Sequence, residues 1–104
     1  MPQNEYPVVT TGPGTTRQVL AQNDQMMLVS FTFQTGSEGA LHSHPHVQST
    51  YIRAGRFEFR RGDETLILQP GDALTIDANV THGCRCLEAG ELIDSFTPRR
   101  DDFL

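Results

Sequence analysis

Residues 36–55 read Gly36-Ser37-Glu38-Gly39-Ala40-Leu41-His42-Ser43-His44-Pro45-His46-Val47-Gln48-Ser49-Thr50-Tyr51-Ile52-Arg53-Ala54-Gly55, and three of the chain's four histidines fall inside five of these positions. On an extended strand, side chains two residues apart point to the same face. His42 and His44 therefore offer two imidazole nitrogens to one ion ~2 Å from each. Without an ion, two imidazoles on one face beside an apolar interior would each lose hydration, or repel one another once protonated. A bound cation removes both costs. His46 follows Pro45, which breaks strand geometry, and is read as an ordinary surface or hydrogen-bonded histidine outside the ligand set. An ion needs further donors, and two candidates are available: Gln48, shortly after the cluster, and His82, after the turn Asp77-Ala78-Asn79. Taken alone, either would be an unremarked polar residue.

Outward from this stretch, short apolar or β-branched runs alternate with turn residues at the cadence of an all-β sandwich or barrel. Met27, Val29, Phe31 and Phe33 repeat with a period of two, with Ser30 and Thr32 opposite, which predicts a half-buried strand. Further strands are expected over Ser49–Ala54, Phe57–Arg61, Thr65–Leu68, Ala73–Ile76, Cys84–Leu87 and Leu92–Phe96. The separators Gly55, 61–64, 69–72, 77–79 and Ala89-Gly90 read as tight turns. No long window carries a 3.6-residue apolar period, so helix content should be near zero. Roughly nine strands in one open sheet would expose a large apolar face, so two packed sheets or a closed barrel follow. The predicted fold is an all-β jelly-roll barrel of antiparallel strands. It occupies residues 17–104, preceded by an irregular arm over 1–16, where Pro, Gly and Thr are frequent.

Composition narrows the function. A chain of 104 residues suits one domain. Eight Arg, no Lys and thirteen acids leave a net charge of -5 with no basic run longer than two, which repels a polyanion, so no nucleic-acid partner is expected. The longest apolar runs, near Met26–Val29 and Thr65–Leu68, fall far short of the ~20 residues that cross a bilayer. No cationic segment followed by an apolar one opens the sequence, and the expected location is cytoplasmic. Cys84 and Cys86 are too few for a disulfide framework. On one strand they would sit ~6.5–7 Å apart with parallel Cβ vectors, at or beyond the limit for an unstrained bridge, so two small buried thiols are expected. Arg56 and Arg60, alternating with Phe57 and Phe59, read as a solvated sheet face, and Arg85 as pointing outward. Exposed sheet edges and the apolar stretch Tyr6–Val9 suggest a homodimer.

The stretch opened by Gly36 resembles the first cupin motif: glycine, five residues, His-x-His, three or four residues, an acid, six residues, glycine. Every spacing fits, with Gln48 in the acid's place and Gly55 closing the motif. Gly71 to His82 resembles the second motif in its glycine and histidine. Asp77 replaces its usual proline, Asn79 its glycine and Cys86 its asparagine. The resemblance implies a small single-domain cupin with one divalent transition metal held by His42, His44, Gln48 and His82. Four neutral ligands leave the ion its full double charge, which favours polarising a substrate oxygen over supporting high oxidation states. Imidazole plus amide oxygen accepts Zn, Ni, Fe or Mn.

The tail Asp94-Ser95-Phe96-Thr97-Pro98-Arg99-Arg100-Asp101-Asp102-Phe103-Leu104 is similar to that of the KdgF-type pectin-degradation cupins, whose pattern runs Asp-x-Phe-x-Pro-x-Arg-x-Asp-Phe-Leu. That family also uses glutamine as its fourth ligand. The implied activity is opening and tautomerisation of 4,5-unsaturated uronates, released by pectin or alginate lyases, to the linear 5-keto-4-deoxyuronate. In this reading the partner is a small anionic sugar. Asp94 is the proton shuttle, Arg100 pairs with the substrate carboxylate in a two-pronged contact, and Phe96 walls the sugar ring. Competing readings are another small metal cupin, dioxygenase or lyase, and a non-catalytic sugar- or metal-binding module.

Overall fold

The protein is described by a computed structural model over residues 6–104. Eight strands follow one another: β1 (Val9–Gly12), β2 (Thr15–Gln22), β3 (Met27–Phe33), β4 (Glu38–His42), β5 (Val47–Arg61), β6 (Glu64–Leu68), β7 (Ala73–Ile76) and β8 (His82–Thr97). A 3-10 turn, Asp101–Phe103, is the one helical element among the described residues. Every strand pairing is antiparallel, in the order β1-β2-β3-β8-β5-β6, with β4 added to β8 and β7 to β5. The architecture is the expected all-β jelly roll.

Two long strands carry it. β5 and β8 pair from Val47↔Thr97 to Arg61↔His82, spanning both halves of the barrel. In β5 the buried side chains are Gln48, Thr50 and Ile52 before Gly55, and Phe57 and Phe59 after it, so burial switches from even to odd positions. A period of two cannot switch unless a residue is inserted, and the register shifts between Ile52 and Phe57 supply this. Gly55 and Ala89-Gly90, expected as tight turns, are therefore bulges inside continuous strands. Gly55 has φ +81°, and a Cβ on it would run into the backbone oxygens of Glu88 and Ala89. A Cβ on Gly90 would overlap the Ala54 carbonyl. Glycine is needed here for close strand approach, not for chain reversal.

The N-terminal arm is also corrected. Residues 1–5 lie outside the described residues, but Val9–Gly12 and Thr15–Gln22 form a hairpin, β1 against β2, that continues onto β3. Pro13-Gly14 turns it, with Gly14 at φ +74°. The reason is the long run of β-branched residues in this segment, which suits a pleated edge more than a coil.

Two apolar clusters line the interior. Phe33, Ile52, Phe57, Phe59, Leu68, Ile76, Cys86 and Leu92 make the larger, with Phe33 and Phe57 edge to face at 5.2 Å. Val19, Met27, Val29 and Phe96 make the smaller. Each fully buried Phe, Ile or Met contributes ~1.5–3 kcal/mol through loss of water contact. Cys84 and Cys86 are both free thiols. Cys86 is buried in the core and Cys84 half-buried, with burial pushing the Cys84 thiol up to about 12. Neither supplies a thiolate nucleophile at neutral pH.

Candidate metal centre and surrounding cavity

Strand register assembles the site. β4 meets the start of β8 with His42 directly opposite His82, and β5 meets the end of β8 with Gln48 opposite Phe96 and Thr50 opposite Asp94. Residues far apart in sequence thereby share one inward face. His42, His44 and His82 each bring one ring nitrogen within 4.8 Å of the others, a spacing that suits one shared ion. Their ring centroids lie 4.3 to 5.4 Å apart.

The tautomers are set by backbone carbonyls, which only accept. His42 Nδ1 donates to Ala40 O at 2.8 Å, His44 Nδ1 to His46 O at 3.1 Å and His82 Nδ1 to Val80 O at 2.9 Å. In the neutral rings each Nε2 is then a bare lone pair, the form a metal takes, with the carbonyl fixing ring orientation from behind. Burial favours the neutral ring at two of these positions: it lowers the pKa of His44 and brings His82 down to about 4. His82 Nε2 is buried without a hydrogen-bond partner. His44 Nε2 and Gln48 Oε1 stand 3.0 Å apart. With a neutral ring these are two acceptors facing each other, which a cation between them would turn into attraction. Orphaned nitrogen, facing acceptors and donor set all fit a divalent metal.

Behind Gln48 runs a hydrogen-bonded chain. Gln48 Nε2 donates to Thr50 Oγ1 at 3.0 Å, and Thr50 Oγ1 donates to Asp94 Oδ1 at 2.6 Å. All three residues are buried. Burial pushes the Asp94 carboxyl up to about 7, against the opposing pull of the Thr50 and Gln48 bonds and of Arg100.

A cavity of ≈ 470 Å³ opens in front of these groups. His42, Gln48, His82, Asp94, Phe96 and Arg100 all contribute to its wall. The Arg100 guanidinium lies 5.0 Å from the Phe96 ring and 4.2 Å from the Phe103 ring, and Arg17 covers Phe103 from 4.1 Å. Six of the seven site residues named from sequence thus line one cavity, and His44 stands against His42, His82 and Gln48 without lining it. His46 lies beside it, half-buried, its carbonyl holding His44 and its own Nδ1 buried without a partner. Arg56, Arg60 and Arg85 are exposed, and Arg56 pairs with Glu88 at 2.6 Å.

Sequence reasoning missed Thr50, Asp102, Phe103 and Arg17. Thr50 had a signal, since it lies two residues beyond Gln48 on a strand and must share its face. Asp102 and Phe103 sat unassigned within the tail motif. For Arg17 no local signal exists, because only the β2–β3 pairing brings it to the tail.

Known proteins share this sequence pattern and fold. The Cupin domain family matches residues 29–95. The pectin degradation protein KdgF of Dickeya dadantii (strain 3937) is 40% identical over 103 residues, spanning 97% of this chain and 94% of that protein. The structure of KdgF from Halomonas sp. superposes with a TM-score of 0.91 at 36% identity, over 96% of this chain and 93% of that one. An RmlC-like cupin from Shewanella frigidimarina NCIMB 400 gives 0.92 at 35% identity, over 96% and 90%. With a family match across most of its length and relatives spanning nearly all of it, this chain belongs to the cupin family and, within it, to the group typified by KdgF.

Proposed function

We propose that the protein is a metal-dependent enzyme of pectin or alginate breakdown that opens 4,5-unsaturated uronate rings and tautomerises them to the linear 5-keto-4-deoxyuronate. The observation that carries this is the meeting, beside one cavity, of the His42–His44–His82–Gln48 donor set with the buried carboxyl of Asp94. The relative named for pectin degradation supports the substrate class.

The substrate is a cyclic hemiacetal whose ring oxygen is also an enol ether. Opening the hemiacetal frees an enol at C5, which gains a proton at C4 to become the ketone. His42, His44, Gln48 and His82 would hold one divalent ion; when bound, it supplies Lewis acidity toward a substrate oxygen that gains negative charge. Asp94 takes the proton leaving the anomeric hydroxyl and returns one to carbon. Thr50 occupies Oδ1, which leaves Oδ2 for the substrate. A carboxyl raised to about 7 is suited to both halves of that exchange at neutral pH. Arg100 orients the substrate carboxylate, and Phe96 packs on the ring while excluding water. Exposed Val8 and Val9 at the free edge of β1 support pairing of two copies there.

The test is turnover of a lyase-generated unsaturated monouronate, followed by loss of its conjugated absorbance. Metal-loaded wild type should accelerate that loss and Asp94→Asn should abolish it. Full metal loading with no acceleration overturns the enzyme reading, binding without turnover favours a sugar-binding module, and oxygen consumption favours a dioxygenase.

A further inference from the structure

A glutamine ligand carries an ambiguity that a glutamate lacks: one end of its amide is an oxygen with lone pairs, the other an NH2 that only donates and would repel a cation. Nothing in the amide itself selects the end that faces the ion. In this protein the choice is made two residues away. The ionised Asp94 carboxylate can only accept, and Thr50 donates its single hydroxyl hydrogen to Oδ1 at 2.6 Å. With that hydrogen committed, Thr50 Oγ1 can only accept, and it takes the Gln48 Nε2–H at 3.0 Å. The remaining end, Oε1, is turned to His44 Nε2 at 3.0 Å.

We infer that Thr50 is a positioning residue that holds the Gln48 amide oxygen-first toward the histidine cluster, with Asp94 setting the direction of the chain. The inference rests on the metal-site reading. Thr50 is 1% exposed and Gln48 and Asp94 4%, so little water competes for these bonds. The direction also survives proton transfer at Oδ2, because a carboxylic acid protonated there still accepts at Oδ1. Metal ligand and proton shuttle are thereby tied through one hydroxyl. Valine at position 50 keeps the shape and removes both bonds, which leaves the amide only the direct pull of Asp94 and loosens its orientation.

Titration of the metal-free protein with Ni²⁺ alone, by calorimetry, tests this. Thr50→Val should weaken Ni²⁺ binding ~10- to 100-fold, the usual cost of losing an outer partner of a ligand, while Thr50→Ser stays within ~3-fold of wild type. In a Gln48→Glu background both ends of the ligand are oxygens, so Thr50→Val should change affinity by less than ~3-fold. Circular dichroism of the metal-free variants reports folding, and Thr50→Ala replaces Thr50→Val if the latter does not fold. Unchanged binding in Thr50→Val, equal losses in the Val and Ser variants, or an undiminished loss in the Gln48→Glu background would overturn the inference while leaving the metal site standing. Failure of wild type to bind Ni²⁺ would overturn the metal-site reading itself.

Discussion

Arg100 grips Asp102 with two parallel bonds, Nε to Oδ1 at 3.0 Å and Nη2 to Oδ2 at 2.8 Å. The arginine side chain is 12% exposed and the aspartate 59%. That two-pronged contact is the one the proposed mechanism gives to the substrate carboxylate, so an anionic sugar competes with Asp102 for Arg100. A half-exposed pair of this kind is worth only ~0–1 kcal/mol, small enough to be exchanged.

Asp102→Asn should therefore lower KM for an unsaturated uronate ~2- to 5-fold with kcat little changed, since it removes a competitor of about that strength. Steady-state kinetics check it, and a rise in KM would mean that Asp102 holds Arg100 in place instead. Arg100→Lys should raise KM ~10-fold or more, because an ammonium cannot make the two-pronged contact.

Gln48→Glu separates metal affinity from reactivity. An anionic ligand should bind the divalent ion more tightly than the neutral amide, while the lower net charge makes the ion a weaker Lewis acid. The expected outcome is tighter Ni²⁺ or Zn²⁺ binding together with a kcat ~10-fold or more below wild type. Calorimetry and turnover on the same preparations decide it; equal or faster turnover would contradict the role given to ligand neutrality.

Asp94 costs the metal-free fold stability for the sake of the site. Its carboxyl is raised from 3.8 to about 7, so the native state binds the extra proton between those values. Its contribution to stability is present below 3.8 and lost as pH rises through about 7. His82, lowered from 6.5 to about 4, acts oppositely: its contribution is present above 6.5 and lost as pH falls through about 4. The two partly cancel between those limits. Asp94→Asn should stabilise the metal-free protein by ~1–3 kcal/mol at pH 8, with the gain vanishing below pH ~4, as read by urea unfolding across pH.

Gly90→Ala tests the bulge. The added Cβ would overlap the Ala54 carbonyl, a backbone atom that cannot swing aside, where β5 and β8 cross. A loss of ~3 kcal/mol or more in unfolding free energy is expected, against ~1–2 kcal/mol for Gly71→Ser, whose added Cβ meets open space but must hold a left-handed backbone. Equal effects would show that the approach relaxes.

Much of the fold was legible because alternation in Met27–Phe33 and the runs at Thr65–Leu68 and Ala73–Ile76 is a local property of a pleated strand with one wet face. Gly55 and Gly90 misled because a glycine marks either a reversal or a close approach, and chain composition does not distinguish them. Only the partner strand does. The hairpin in the expected arm was hidden for a related reason: β1 is an edge strand, with most of its residues exposed, and carries no alternation to read.

By itself the sequence determined the β cadence, the paired histidines two apart, the neutral glutamine and the acidic and basic residues of the tail, since each depends on residue type and spacing along one strand. The tertiary structure decided which groups meet: His42 with His82, Thr50 with Asp94, Arg17 with Phe103. It also decided the tautomers, the direction of the Gln48–Thr50–Asp94 chain and the neutral-range carboxyl. Those depend on register between strands distant in sequence and on exclusion of water, and both arise only once the barrel closes.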